Sequence, residues 1–153
     1  KKEKQIIFIG RDSYEKGIDI LKGIESKIDA KIIYCTDMKW EDAMENLKAS
    51  SLLVIPSRME SIPQVIKEAF YLKIPIIATN VGGIPELITD NKTGILIPPN
   101  DPKSLENAIN KLLVDNQTSK RLSDAGYEFV MENLTWEILL PKYVKFYEDL
   151  QKS

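Results

Sequence analysis

The chain alternates short apolar runs with stretches in which apolar residues return every three or four positions. Five runs read as strands, at 5–9, 31–35, 51–55, 75–79 and 94–97. The first, third and fourth are almost wholly apolar, as strands covered on both faces should be. Between them, Ile18, Leu21, Ile24 and Ile28 space a helix, as do Ala43, Met44 and Leu47, and then Val65, Ile66, Ala69, Phe70 and Leu72. Past residue 97 the pattern is helical. Asp101-Pro102 reads as a cap followed by proline at the first helical position, opening a helix to about Val114. Further helices are expected at 119–132 and 135–151, the last kinked at Pro141. The predicted object is an α/β domain of three layers, a doubly wound, Rossmann-like parallel sheet of about five strands, with a helical C-terminal tail.

Composition narrows what such a domain can do. Its 153 residues, 43% hydrophobic and 29% charged, suit one domain, 1–153, with a real core. A formal net charge of -2 provides no cationic field for nucleic acid, and no apolar run is long enough to span a membrane. The single cysteine, Cys35, fits a reducing, cytoplasmic setting. No histidine is present, so Ser-His or Cys-His nucleophile pairs and histidine-ligated metals cannot be built from this chain. Three Asn-x-Thr triplets, at Asn91, Asn116 and Asn133, read as turns and caps. The opening residues Lys1-Lys2-Glu3-Lys4-Gln5 lack an initiator Met and a signal pattern, and read as a piece of a longer protein.

In open α/β sheets ligands bind beyond the carboxyl ends of the strands. Of 21 basic residues only Arg11, Arg58 and Arg121 are arginine, and the first two fall at such ends. The planar fork of Arg11, joined by the ammonium of Lys16, matches a diphosphate, although by spacing alone both are equally well ordinary surface charges. Ser61-Ile62-Pro63-Gln64 has the form of a capping box, which sets a helix start near residue 61 with its amides facing the crevice. Glu60 then lies in the loop before that helix. Glu68 lies about two turns into it, at the border of its apolar face. Two glutamates eight apart occur about once by chance in a chain this rich in glutamate, so the spacing alone carries nothing. Gly82-Gly83 before Pro85 forms a tight loop through which backbone amides can approach a ligand, or a simple turn. No Asp-x-Asp is present, so neither metal nor cofactor is expected.

Taken in order, these segments resemble the C-terminal, nucleotide-sugar-binding domain of family-4 (group 1) glycosyltransferases of the GT-B fold. "IIFIGRDSYEKGIDIL" is similar to that family's opening strand with its Gly-Arg and Lys-Gly turn, and "EDAMENLKASSLLVIPSRMESIPQVIKEAF" to its paired-glutamate segment. "IPIIATNVGGIPELITDNKTGILIPPNDPKSLENAI" is similar to the family's next stretch, and "LTWEILLPKYVKFYEDL" to a terminal helix, 135–151, that packs back on an N-terminal acceptor domain. The resemblance implies retaining sugar transfer from a nucleotide-diphosphate sugar. Arg11 and Lys16 would hold the diphosphate and Glu60 would contact the transferred sugar, these three being the expected catalytic set. Ser61, Ile62, Pro63 and Gln64 would support sugar and phosphate, with Gly82 and Gly83 beside them. Glu68 would accept the ribose hydroxyls, and Thr36 and Met38 would lie near the base. Two departures stand out. Family members carry another strand and turn before the helix at 41–49, for which this chain has no room, and Ser61-Ile62-Pro63 replaces a glycine-rich variant. The alternatives are a two-domain nucleotide-sugar epimerase of the same architecture and a flavodoxin-like binding or receiver module, for which Asp12 and Asp37 are the acidic candidates.

Overall fold

The computed structural model describes residues 4–151. Five strands form a single parallel sheet: β1 Gln5–Ile9, β2 Lys31–Cys35, β3 Leu52–Ile55, β4 Ile76–Thr79 and β5 Ile95–Ile97, in the order β2-β1-β3-β4-β5. Around it lie α1 Ile18–Ile24, α2 Trp40–Ala49, α3 Gln64–Tyr71, the single-turn α4 Ile84–Leu87, α5 Pro102–Val114, α6 Asn116–Asn133 and α7 Trp136–Gln151. Every expected strand is present within a residue of its expected bounds.

Alternation along the strands builds two cores. Ile6, Phe8, Leu52, Val54 and Ile77 face α1 and α5, where Leu21 and Ile109 are fully buried. Ile7, Leu53, Ile55 and Ile76 face α2, α3 and α4 through Leu47, Ile66, Phe70 and Ile84. All four residues of β3 and all four of β4 are buried, which explains their lack of polar alternation. Each such Ile or Leu contributes about 1.5–3 kcal/mol by leaving water.

Two boundaries differ from the sequence reading. Asp115 alone separates α5 from α6, because its carboxylate accepts the Thr118 N–H at 2.9 Å and caps α6 three residues earlier than expected. The last helix, expected at 135–151, is α7 Trp136–Gln151 with Pro141 inside it. The capping box at Ser61 does not form: α3 starts at Gln64, with Pro63 as its cap residue, and no side chain closes its first turn. Proline at 63 disfavours helical backbone at Ile62, so the helix cannot reach back to Ser61.

Chain order reverses direction across the sheet between β1 and β3. From β1 the chain moves to β2 on one side, and from β3 onward to β4 and β5 on the other. The loops leaving β1 and β3 therefore diverge to opposite faces and leave a crevice between them. β2 and β5 are the edge strands among the described residues.

Candidate functional site

The crevice at the reversal is a cleft of about 620 Å³, lined by Arg11, Glu15 and Lys16 after β1, Arg58 to Ser61 after β3, and Val81 and Gly82 after β4. Lys16 ends a single 3-10 turn, Tyr14–Lys16, and Gly17 closes that turn at φ 65°. A side chain at Gly17 would put its Cβ 2.0 Å from the Pro56 carbonyl oxygen, so only glycine lets the β1 loop lie against the β3 loop. That approach brings Lys16 to Glu60. The ammonium donates to both carboxylate oxygens, at 2.8 and 2.7 Å, and the buried Ser57 hydroxyl donates to one of them at 3.1 Å. Ser57 is held in turn by Thr79 of β4, whose hydroxyl donates to the Ser57 carbonyl at 2.5 Å. Only 8% of the Glu60 side chain is exposed, so these partners take the place of water around its oxygens.

Arg58 braces the cleft. Its guanidinium forks onto Asp19 of α1 with two 2.7 Å bonds, reaches Asn100 after β5 at 2.6 Å and the Tyr14 carbonyl at 2.7 Å, and lies 4.0 Å from the centroid of the Tyr14 ring. Its backbone N–H donates to Glu15 O at 2.7 Å. The fork onto Asp19 raises the arginine's pKa and holds the Asp19 carboxyl below its ordinary value. Asp19 is more than half exposed, so the pair adds little stability of its own. Its consequence is geometric, because one side chain joins the loops after β1, β3 and β5.

Arg11 is arranged differently. It is exposed, and among the described residues its guanidinium makes no hydrogen bond or ion pair. It acts on Glu15, whose carboxyl is held low first by its own backbone amide and further by the charges of Arg11 and Lys16. The cleft thus carries two cations already paired, Lys16 and Arg58, and one available, Arg11.

Thr36 and Met38 line a separate hollow of about 510 Å³ with Tyr34, Asp37, Lys39 and Asp42, beyond the end of β2. Glu68 lines neither that hollow nor the cleft. Its Oε1 accepts the indole N–H of Trp40 at 2.9 Å, beside an apolar depression between α2 and α3. Of the residues singled out from sequence, the structure gathers Arg11, Lys16, Glu60, Ser61 and Gly82 in one cleft. Ile62, Pro63, Gln64 and Gly83 flank it without lining it.

The glycine pair serves the chain's own loop. Gly82, at φ 54°, places its Cα so that a Cβ would meet the Glu60 carbonyl oxygen at 1.7 Å, and the Gly83 N–H donates to Ser61 O at 2.7 Å. The close approach expected for a ligand is therefore made to residues 60–61, and the Gly83 amide is occupied. Sequence reasoning missed Ser57, Asp19, Asn100 and Trp40. Arg58 was visible at a strand end, but its partners lie 39 and 42 residues away, and no local pattern pairs them. Of the two acidic candidates for a receiver module, Asp12 pairs with Lys22 and Asp37 lies in the β2 hollow. Among the described residues, no three His, Cys, Asp or Glu side chains are grouped as metal ligands.

Fold and site together define a Rossmann-like domain with a mixed-charge cleft at its topological reversal, and this domain is of the GT-B type. Residues 24–129 match the family described as "Glycosyl transferases group 1", and the chain belongs to that family. It is 29% identical to the uncharacterized glycosyltransferase MJ1178 of Methanocaldococcus jannaschii, over 94% of this chain and 48% of the relative. That alignment runs over 168 positions, more than this chain has residues, so the relative carries segments with no counterpart here. The D-inositol 3-phosphate glycosyltransferase of Corynebacterium diphtheriae is 31% identical, over 71% of this chain and 25% of the relative. Among solved structures, sucrose-phosphate synthase of Thermosynechococcus elongatus superposes with a TM-score of 0.89 at 24% identity, covering 99% of this chain and 46% of that one. Anabaena Alr3699/HepE in complex with UDP-glucose gives 0.82 at 17% identity, covering 99% and 50%. The chain spans about half the length, or less, of the relatives it matches.

Proposed function

We propose that this chain is the donor-binding, C-terminal half of a retaining GT-B glycosyltransferase. It would hold a nucleotide-diphosphate sugar for transfer to an acceptor carried by an N-terminal domain. One observation carries the reading: at the reversal between β1 and β3, an unpaired arginine stands beside a Lys16–Glu60 pair in a single cleft. Arg11 binds the diphosphate from the solvent side. Lys16 divides its three N–H donors between Glu60 and a phosphate oxygen. As the bond between the anomeric carbon and the diphosphate oxygen breaks, its electron pair passes to that oxygen, where these two cations stabilise it. The acceptor hydroxyl attacks the anomeric carbon from the same face and gives its proton to the departing diphosphate. Glu60 contacts the transferred sugar and orients Lys16, and need not act as a nucleophile. Ser61 to Gln64, Gly82 and Gly83 flank the sugar and phosphate, Glu68 takes the ribose hydroxyls, and Thr36 and Met38 lie by the base. No metal or cofactor enters this scheme.

The UDP and UDP-glucose complexes of the Anabaena neighbour support a nucleotide sugar as substrate. The terminal helix supports a missing partner domain: none of α7 is buried, and Trp136, Leu140, Tyr143, Phe146, Tyr147 and Leu150 are all more than half exposed. A single buried thiol, Cys35, fits a cytoplasmic location, and no described helix is long and apolar enough to cross a membrane. On its own the chain is expected to bind a nucleoside diphosphate weakly and to transfer nothing. The test is product analysis on the full-length protein with UDP-, GDP- and ADP-sugars. Transfer with retained anomeric configuration, lost in Lys16→Ala and Glu60→Ala, supports the proposal. An epimerised nucleotide sugar, or turnover indifferent to both variants, overturns it.

A further inference from the structure

The contact between Trp40 and Glu68 lies outside the diphosphate cleft. It joins the first residue of α2 to the fifth residue of α3. Among the described residues no other donor reaches the Glu68 carboxylate, so Oε2 keeps its capacity to accept. An indole N–H donates and never accepts, so this bond orients the carboxylate without competing for a hydroxyl proton. A half-buried glutamate otherwise turns freely about its last torsion. Here a charge-assisted bond holds it, beside an apolar depression of about 360 Å³ walled by Met44, Tyr71 and Leu72. Trp40 also directly succeeds Thr36 to Lys39, which line the hollow beyond β2. Trp40 therefore follows in the chain one of the groups that would receive a nucleoside and bonds the other, and 61% of the residue is exposed, more than a core-filling role needs.

We infer that Trp40 is a positioning residue for Glu68: its N–H fixes one carboxylate oxygen so that the other accepts from a ribose hydroxyl, which sets the penalty for a donor lacking that hydroxyl. The inference rests on the donor-domain reading of the cleft. The test is titration of the chain and of Trp40→Phe and Glu68→Ala with a ribonucleoside diphosphate and its 2′-deoxy and 3′-deoxy analogues, with inorganic pyrophosphate as control. Phenylalanine keeps an aromatic ring, smaller than the indole, and removes the N–H. The expected result is a ribonucleotide affinity about fivefold weaker in Trp40→Phe, the factor a net hydrogen bond of ordinary strength provides. Deoxy-analogue and pyrophosphate affinities stay unchanged, so the deoxy penalty shrinks. A second readout uses Trp136→Phe, which leaves Trp40 as the sole tryptophan. Its emission should change on adding ribonucleotide and stay constant with pyrophosphate. Equal weakening of ribo- and deoxynucleotide would mark a packing role and overturn the inference. A deoxy penalty that depends on Glu68 but not on Trp40 overturns it while leaving the donor reading intact. Absence of nucleotide binding, or binding indifferent to Glu68→Ala, overturns both.

Discussion

The β1–β3 end and the β2 end of the strands' carboxyl edge are built on different terms. At the β1–β3 reversal, Lys16, Glu60, Ser57 and Thr79 form an unbroken hydrogen-bonded series, and Arg58 ties three loops together beside it. At the β2 edge the side chains are exposed, Met38 by 42% and Trp40 by 61%. They are held by single contacts, Asn46 to the Met38 sulfur at 3.5 Å and Trp40 to Glu68. The first end is fixed by the chain itself and the second is open. Groups that hold a bond to be broken must be placed to fractions of an ångström, whereas a surface that only binds tolerates looser placement. Under the proposed function, chemistry would belong to the stiff end and nucleotide choice to the loose one.

The largest break in that difference comes from the backbone under the stiff end. Gly82→Ala meets the Glu60 carbonyl at 1.7 Å with φ at 54°, so the β3 and β4 loops must separate. A loss of roughly 3 kcal/mol or more is expected in urea unfolding, together with loss of nucleotide binding. Next is Lys16→Ala, which strands a carboxylate that is 8% exposed. It should cost about 2–3 kcal/mol and abolish transfer in the full-length protein. Arg58→Lys retains the charge and loses the fork, and a kcat several-fold lower with stability nearly unchanged is expected from its bracing role.

A smaller effect is pH-dependent. Asp19 has a folded-state pKa below its ordinary 3.8 because Arg58 donates to it. Its contribution is therefore complete above about pH 4 and disappears as pH falls through the lowered value. Asp19→Asn should lower the melting temperature slightly at pH 7, and the difference from the parent chain should vanish in the acid limb. Smallest of all, Thr36→Ala and Met38→Ala should leave stability and pyrophosphate binding unaltered and change only the preference among UDP, GDP and ADP. Isothermal titration with each nucleotide checks this.

Five strands and their order of burial were legible because apolar runs and helical periods are local properties of the chain. Arg11, Lys16 and Glu60 were legible as residues, since strand ends are recognisable and family resemblance gave them roles. Their partnership was not. The Lys16–Glu60 pair spans 44 positions and exists because Gly17 lets one loop lie on another. The misplaced helix start at Ser61 has a local cause, since serine and glutamine at capping spacing outweighed the restriction that Pro63 places on Ile62. Glu68 was placed at the border of the apolar face of α3, where it is half-buried, but the indole that holds it comes from another helix, 28 residues earlier.

Calorimetric titration of the chain with UDP, GDP and ADP, repeated for Arg11→Ala, tests the central claim most directly. The expected result is weak but measurable binding to one nucleotide, weakened at least tenfold when the unpaired guanidinium is removed. Binding to none of the three, or equal binding by the parent chain and Arg11→Ala, would contradict it.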